Sequence, residues 1–409
     1  MNSNMANPYF CYAFSFAIAM MTYPLGWSDL YPALTLPLTC FLGVTIIIHL
    51  WLGFHFQKSK LIQYKPLLIE ATGAPVFITA FLYLLWSCEF LYEGGIPLVM
   101  ILLDQEFNYI LFGIPTLHVF IVTFSSFYTV YLFHLYLSGR QKVIFFLFVI
   151  NLLAAILIYS RAMFFFNLSA CFFLFLFSVK RIPGIVLVIT PVLVLLLLFF
   201  FGVLGTLRVS RQSSREYSNK LFLSTGGATE SFKESVIPKE FFWPYIYITS
   251  PLANLQHNIK THSGHEVTLS NITQMVNNEI LMDFLSKRIN SLTGSERKTE
   301  NNILGPFNVS TVYSRAYSYA GWTGMSILAI VILLVPWLYA KLFPARSPFF
   351  PTGFAILCTT FLFLAYDNTI RFTGLSFQLV YPVVLHYAAL KSKWLRNIFV
   401  NNKVTMAQP

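Results

Sequence analysis

The chain has 409 residues, of which 56% are hydrophobic, 18% aromatic and only 11% charged, with a formal net charge of +11. Soluble domains carry about a quarter charged residues, so this composition excludes a single soluble core, a disulfide scaffold and a disordered chain. What remains is an all-α polytopic membrane protein.

A membrane-crossing helix needs roughly 20 mostly apolar residues, and on that measure about ten spans are predicted, near 8–25, 31–55, 73–92, 115–137, 143–159, 162–179, 184–206, 319–340, 349–366 and 372–389. No basic residue and no cleavage site precede the first apolar run, which therefore reads as a retained span rather than a signal peptide. Residues 93–114 fit a re-entrant or interfacial segment, because Ile96–Leu103 is too short to cross and Asp104 and Glu106 follow it. Only Ser160 and Arg161 join the fifth and sixth spans, which predicts a tight helical hairpin.

Residues 208–318 hold no run of spanning length and carry 12 basic and 9 acidic residues. A structureless loop of that length is uncommon, so a small external helical domain is expected. Ser250-Pro251 predicts a helix start, with Ser as N-cap and Pro in the first turn. A second helix is predicted from Thr273 to Asn290. The chain then divides into spans one to seven (1–207), the loop domain (208–318), and spans eight to ten with a tail (319–409).

Basic residues set the expected orientation. With the N-terminus inside, the loops and tail of one side hold 13 of the 27 basic residues, among them Lys58, Arg140, Lys180, Arg181 and Lys341. The short loops opposite hold Asp29, Glu89, Glu93, Asp104, Glu106 and Asp367. Both termini are therefore expected in the cytoplasm and 208–318 outside. This distribution also removes the nucleic-acid reading of the net charge. Two basic residues break the pattern, Arg161 and Arg371, each at the outer face; Arg371 has Asp367 four residues before it as a candidate partner.

The five cysteines (Cys11, Cys40, Cys88, Cys171, Cys358) lie in apolar stretches without C-x-x-C spacing and read as small core side chains. His49, His134 and His386 read as packing histidines within or near spans. No phosphate loop, H-E-x-x-H, G-x-S-x-G or zinc spacing occurs, so neither a metal nor a cofactor is expected. His257, His262 and His265 with Glu266 read as a solvated polar turn, and Asp104-Gln105-Glu106 is a weak acid pair. Arg208, Arg211 and Arg215 follow the seventh span at helical spacing. Guanidinium groups bind phosphate oxygens in bidentate fashion, so this cluster is a candidate grip for a lipid-linked diphosphate, with simple headgroup contact as the alternative.

Four segments resemble Wzy-type O-antigen (oligosaccharide repeat unit) polymerases. They are Tyr109 to Pro115 followed by His118; the Ser160-Arg161 turn; Tyr247 to Leu255, containing Ser250-Pro251-Leu252-Ala253-Asn254-Leu255; and Gly305 to Thr311, followed by Arg315 and Gly321-Trp322-Thr323-Gly324. Arg215 and Gly226 also match an Arg-x10-Gly spacing of the family's periplasmic loops. The resemblance implies a bacterial inner-membrane glycosyltransferase similar to O-antigen ligases and other GT-C enzymes. Such enzymes transfer a growing glycan from undecaprenyl diphosphate to a lipid-linked repeat unit. The expected partners are that lipid-linked oligosaccharide, membrane lipids and a chain-length regulator protein. The expected roles are His118 as general base; Arg161, Arg315 and Arg215 as diphosphate ligands; and Arg208, Arg211, Arg371 and Tyr313 as further substrate contacts. Glu93 and Asp104 stand in reserve as the base, and Trp243, Tyr245 and Tyr247 are candidates for stacking on sugars. An O-antigen ligase and a lipid-linked oligosaccharide flippase are the alternative functions.

Overall fold

The computed structural model describes residues 6–69, 72–103, 105, 112–179, 184–212, 219–262, 267–305 and 307–399. Among them no β-strand forms; an isolated bridge between Ser28 and Ala228 is present. Helix lies in each of the ten predicted span segments. These helices are α1 (Pro8–Thr22), α2 (Leu36–Lys58), α3 (Gly73–Tyr92), then, after the short α4 (Pro97–Leu102), α5 (Leu117–Gly139), α6 (Lys142–Leu157), α7 (Arg161–Ser178) and α8 (Gly184–Gln212). After the polar segment come α14 (Ser314–Leu342), α15 (Phe350–Leu362) and the run Thr373–Ser376 (α16), Phe377–Leu379 and Val380–Lys391 (α17). Among the described residues six helices are long and apolar enough to cross a bilayer: α2, α3, α5, α7, α14 and the Ile189–Leu207 part of α8. Helices α6 and α15 are apolar but shorter.

The reason these stretches are helical is the reason a bilayer demands helices: each segment must satisfy its own backbone hydrogen bonds. The side chains sort accordingly. Helix α15 is buried along its length, from Phe350 to Phe361, and packs with α1, α5 and α7 at the centre. Trp51, Phe77, Leu91 and Phe146 point away from the bundle, each more than 60% exposed to what would be lipid. His49 and His134 are packing residues as expected: His49 stacks on Tyr12 with ring centroids 3.6 Å apart, and His134 bridges Thr352 and the Lys65 carbonyl, each at 2.8 Å. Cys11, Cys171 and Cys358 are buried, and Cys40 and Cys88 face outward; all five are free.

The polar segment departs from its predicted helices. Its main helix, α11, runs from Phe242 to Thr261, so Ser250 and Pro251 fall mid-helix rather than at the start. An interior proline costs ~3 kcal/mol. Burial of Phe242, Tyr245, Ile246 and Leu252 outweighs it, since each large apolar side chain contributes about 1.5–3 kcal/mol. The first turns of α11 pack with α9 (Lys220–Thr225) and α10 (Glu230–Glu234) around Phe222, Phe232 and Phe242. Its later turns place Leu252, Ala253 and Leu255 in the same core as α1 and α14. The helix predicted from Thr273 is interrupted. It comprises α12 (Leu269–Met275), a π turn over Val276–Ile280, extended backbone at Leu281, and α13 (Asp283–Thr293).

Two glycines near the start of α14 have a defined purpose. Gly321 sits at φ 57°, ψ −141°, and with Ala320 it kinks the helix, setting off Ser314–Tyr319 as a short separate turn. Only glycine adopts that backbone without strain. A Cβ on Gly324 would run into the Ala316 carbonyl oxygen.

Candidate functional site

Charge gathers at one end of the bundle, where the polar segment meets the starts of α14 and α16 and the end of α15. Asparagines one turn apart on α11 organise the approach. Asn254 donates to the carbonyls of Phe307 and Val309 at 2.6 and 2.8 Å and accepts from the Ile303 N–H at 3.0 Å. Asn258 donates to the Ser314 carbonyl and to Ser318 Oγ, each at 2.9 Å, and accepts from the Asn301 N–H at 3.2 Å. Both asparagines are fully buried. They hold the irregular stretches 301–305 and 307–309 against α11 and steer the chain into the first turn of α14. That turn carries Arg315.

Three arginines converge there. Arg315 Nη2 lies 3.0 Å from Glu300 Oε1. Arg297 donates to Glu279 Oε1 from Nε at 3.3 Å and from Nη2 at 3.0 Å. Arg371 Nη1 lies 2.6 Å from Asp283 Oδ1, with Nε 4.0 Å from Glu279 Oε2. The break between α12 and α13 brings these acids together, presenting Glu279 from the π turn and Asp283 from the first turn of α13. The loop after α15 locks onto the break. Asn368 Nδ2 donates to the Glu279 carbonyl at 2.8 Å and to its Oε2 at 3.2 Å, and the Asp283 N–H donates to the Arg371 carbonyl at 2.9 Å. Lys298 lies against the Tyr319 ring, its Nζ 5.3 Å from the centroid.

Burial makes the charges felt. Glu279 is 1% exposed and Arg371 only 6%. Burial pulls the Arg371 guanidinium below its ordinary value, and nearby Arg297 and Arg315 add to the effect against the opposing pull of Glu279 and Asp283. Burial pushes the Glu300 carboxyl up; Arg315 opposes this, while Asp367 and Glu279 reinforce it. Among the described residues Arg371 Nε is buried without a hydrogen-bond partner, with Glu279 Oε2 4.0 Å away.

The site residues read from the sequence divide sharply. Arg315 and Arg371 meet in this cluster. Arg371 pairs with Asp283, 88 positions away, and not with Asp367, so the neighbour in sequence is the wrong partner. Arg161 begins α7 at the same end, its guanidinium 5.9 Å from the Tyr159 ring centroid and within electrostatic reach of Tyr366. Ser160 caps that helix, accepting from the Met163 N–H at 3.4 Å. His118 stands apart: its Nδ1 lies 2.9 Å from Glu89 Oε2 on α3, under the edges of Trp86 and Phe112, and none of the three guanidinium groups bonds to it. Arg288 on α13 donates to Thr116 Oγ1, two residues before His118, at 2.7 Å. Glu93 is occupied by the Gly113 N–H at 2.8 Å. Tyr313 is turned into the core, its hydroxyl 2.6 Å from that of Tyr12. Arg208 and Arg211 lie on α8, and Arg215 lies outside the described residues, as do Asp104, Glu106, His265, Glu266 and Tyr109–Leu111. Of the three aromatic candidates, Tyr245 is buried, Trp243 stacks on Phe222 at 3.5 Å, and Tyr247 remains exposed beside Tyr366.

Sequence reasoning missed Arg297, Glu279, Asp283, Glu300 and Asn368. The available signal was the out-of-place charge of Arg371, whose burial required acids from somewhere other than its own loop. No protein family, no characterised protein and no solved structure matches this chain.

Proposed function

We propose that this chain is a polysaccharide polymerase of the O-antigen type, acting at the periplasmic face of a bacterial inner membrane. It transfers a growing glycan from undecaprenyl diphosphate to a lipid-linked repeat unit. The observation that carries the reading is the convergence of Arg297, Arg315 and Arg371 on one patch at the loop-rich end of a membrane bundle. Three guanidinium groups crowded together repel one another, and the carboxylates offset that repulsion in the free protein. An incoming diphosphate brings charge of the same sign as those carboxylates and oxygens suited to bidentate donors. The leaving group needs no protonation to depart, so the protein has to orient the reactants and neutralise the charge that develops. Arg371 Nε, already desolvated and without a hydrogen bond among the described residues, is a preorganised donor for that charge.

In this reading the ten helical segments all cross the membrane in a GT-C-like arrangement, and the basic loops keep both termini in the cytoplasm. Tyr247 and Tyr366, stacked with centroids 6.4 Å apart next to Arg161, offer a face for sugar rings. The test is complementation of a deletion strain with Arg315→Ala and Arg371→Ala, read on a polysaccharide gel. Loss of long polymer with single repeats still on the surface supports polymerisation. Loss of all surface polysaccharide indicates a ligase, and a repeat unit trapped inside indicates a flippase.

A further inference from the structure

A glycosyl transfer needs a group to take the proton from the attacking hydroxyl, and that group must lie within hydrogen-bond reach of an oxygen that itself approaches the sugar carbon bonded to phosphate. The geometry of the cluster narrows the choice. Glu279 is surrounded, receiving Arg297 twice and Asn368 once while facing Arg371 Nε at 4.0 Å. Asp283 is held by Arg371 and by Lys287 at 3.2 Å. Asp367 turns its Oδ1 to the Asn368 N–H at 2.7 Å. His118 sits against Glu89, with no bond to any of the three arginines. Glu300 is the carboxylate paired with the arginine on the first turn of α14, with the Ser314 side chain also close to it. Its side chain is 9% exposed, and its Oε1 meets Arg315 Nη2 at 3.0 Å. Its position is fixed by the chain on either side of it. The Lys298 N–H donates to Tyr319 Oη at 2.9 Å, and the Asn301 N–H is held by Asn258.

We infer that the Glu300 carboxylate is the general base that takes the proton from the acceptor sugar hydroxyl, an assignment that rests on the polymerase reading. A carboxylate touching a phosphate-gripping guanidinium stands about one small group away from the bond that must break. The acceptor oxygen attacks the anomeric carbon as its proton passes to Glu300. The bond between that carbon and the diphosphate oxygen breaks, and its electron pair leaves with the polyprenyl diphosphate beside Arg315. The proton then passes from Glu300 to the released diphosphate or to water, which restores the carboxylate. The surroundings suit this role, because burial and the nearby carboxylates of Asp367 and Glu279 raise the basicity of Glu300, against the opposing pull of Arg315 and Ser314.

The experiment uses the full chain in lipid nanodiscs, with lipid-linked repeat units for turnover and polyprenyl diphosphate as the binding probe. Glu300→Gln is expected to lower turnover at least 100-fold, with affinity for polyprenyl diphosphate changed less than threefold. Affinity lost in step with turnover would make Glu300 a structural partner of Arg315 and overturn the assignment. Turnover near the native rate in Glu300→Gln, together with its loss in His118→Gln, would move the base to His118. If Glu300→Gln fails to accumulate, Glu300→Asp replaces it: the shorter carboxylate is expected to slow turnover with binding kept, and an undiminished rate refutes the role. A native chain that neither binds the diphosphate nor elongates repeats sinks the polymerase reading itself, an outcome separate from failure of Glu300 alone.

Discussion

Replacing Glu279 by glutamine keeps the shape of the side chain and removes the charge at the centre of the arginine cluster. Glu279 is 1% exposed and accepts both Arg297 bonds, so the variant leaves two guanidinium groups facing a neutral amide. Removing one partner of a buried ion pair costs about 3–5 kcal/mol. Two features reduce that figure here. Arg371 retains Asp283 at 2.6 Å, and Arg297, with 29% of its side chain exposed, can turn to water. A loss of about 2–3 kcal/mol follows, and at ~2 cal/mol/K of unfolding entropy per residue this lowers the melting temperature of the 409-residue chain by about 3 °C. The assay is thermal unfolding of purified protein in detergent, for Glu279→Gln, Arg297→Gln and the double variant. A coupling energy of at least about 1 kcal/mol is expected for residues in one charge network. Additive losses, or a single-variant loss under about 0.5 kcal/mol, would show that the cluster is not the tightly coupled unit described.

Gly321→Ala forces a side chain into a backbone conformation that suits glycine alone; a loss of about 1–3 kcal/mol is expected in the same unfolding assay, together with impaired polymer synthesis because Arg315 lies on the turn before the kink. Asn258→Ala removes the donor to Ser314 and Ser318 and the acceptor for Asn301; leaving a buried carbonyl and N–H unsatisfied costs about 1–3 kcal/mol each, and hydrogen exchange should quicken selectively over 301–318. For pH, the raised Glu300 value means the native state holds this proton to a higher pH than the unfolded chain does. Stability contributed by Glu300 is therefore lost as pH rises through its folded value, whereas turnover, which needs the carboxylate, is lost as pH falls through it. The acid limb of turnover should lie above the ordinary carboxylate value of about 4.3, and Glu300→Gln should remove that limb, with Arg315, Arg371, Arg297, Glu279 and Asp367 unchanged around it.

Much of the membrane scaffold was legible because apolar runs of spanning length have one solution in lipid. Helices α2, α3, α5, α7 and α14 fall within a few residues of their predicted spans. The polar segment was harder, since its helices are decided by what they pack on. Ser250-Pro251 carries a strong local start signal, yet the aromatic turns before it bury themselves and extend the helix backwards. The stretch after Thr273 has helical periodicity, but two acids within it are drawn to arginines elsewhere, and the helix breaks to deliver them. The same distinction runs through the site. Arg371 stood out as a cation on the wrong side of an orientation rule, and Arg315 through the short motif around it; both are one-dimensional signals. Glu279, Asp283, Glu300 and Arg297 looked like ordinary charges on a solvated loop, because only the fold brings them to Arg371 and Arg315. His118 was singled out by its place near a span end, where it proves to be held by Glu89, itself on a span.

Binding of polyprenyl diphosphate to the purified chain in nanodiscs, compared with Arg315→Ala and Arg371→Ala, tests the central claim most directly. Each hydrogen bond to a charged group contributes about 1.5–3 kcal/mol, so either substitution should weaken binding at least tenfold and the pair together far more. Affinities that match the native protein in both variants would contradict the account.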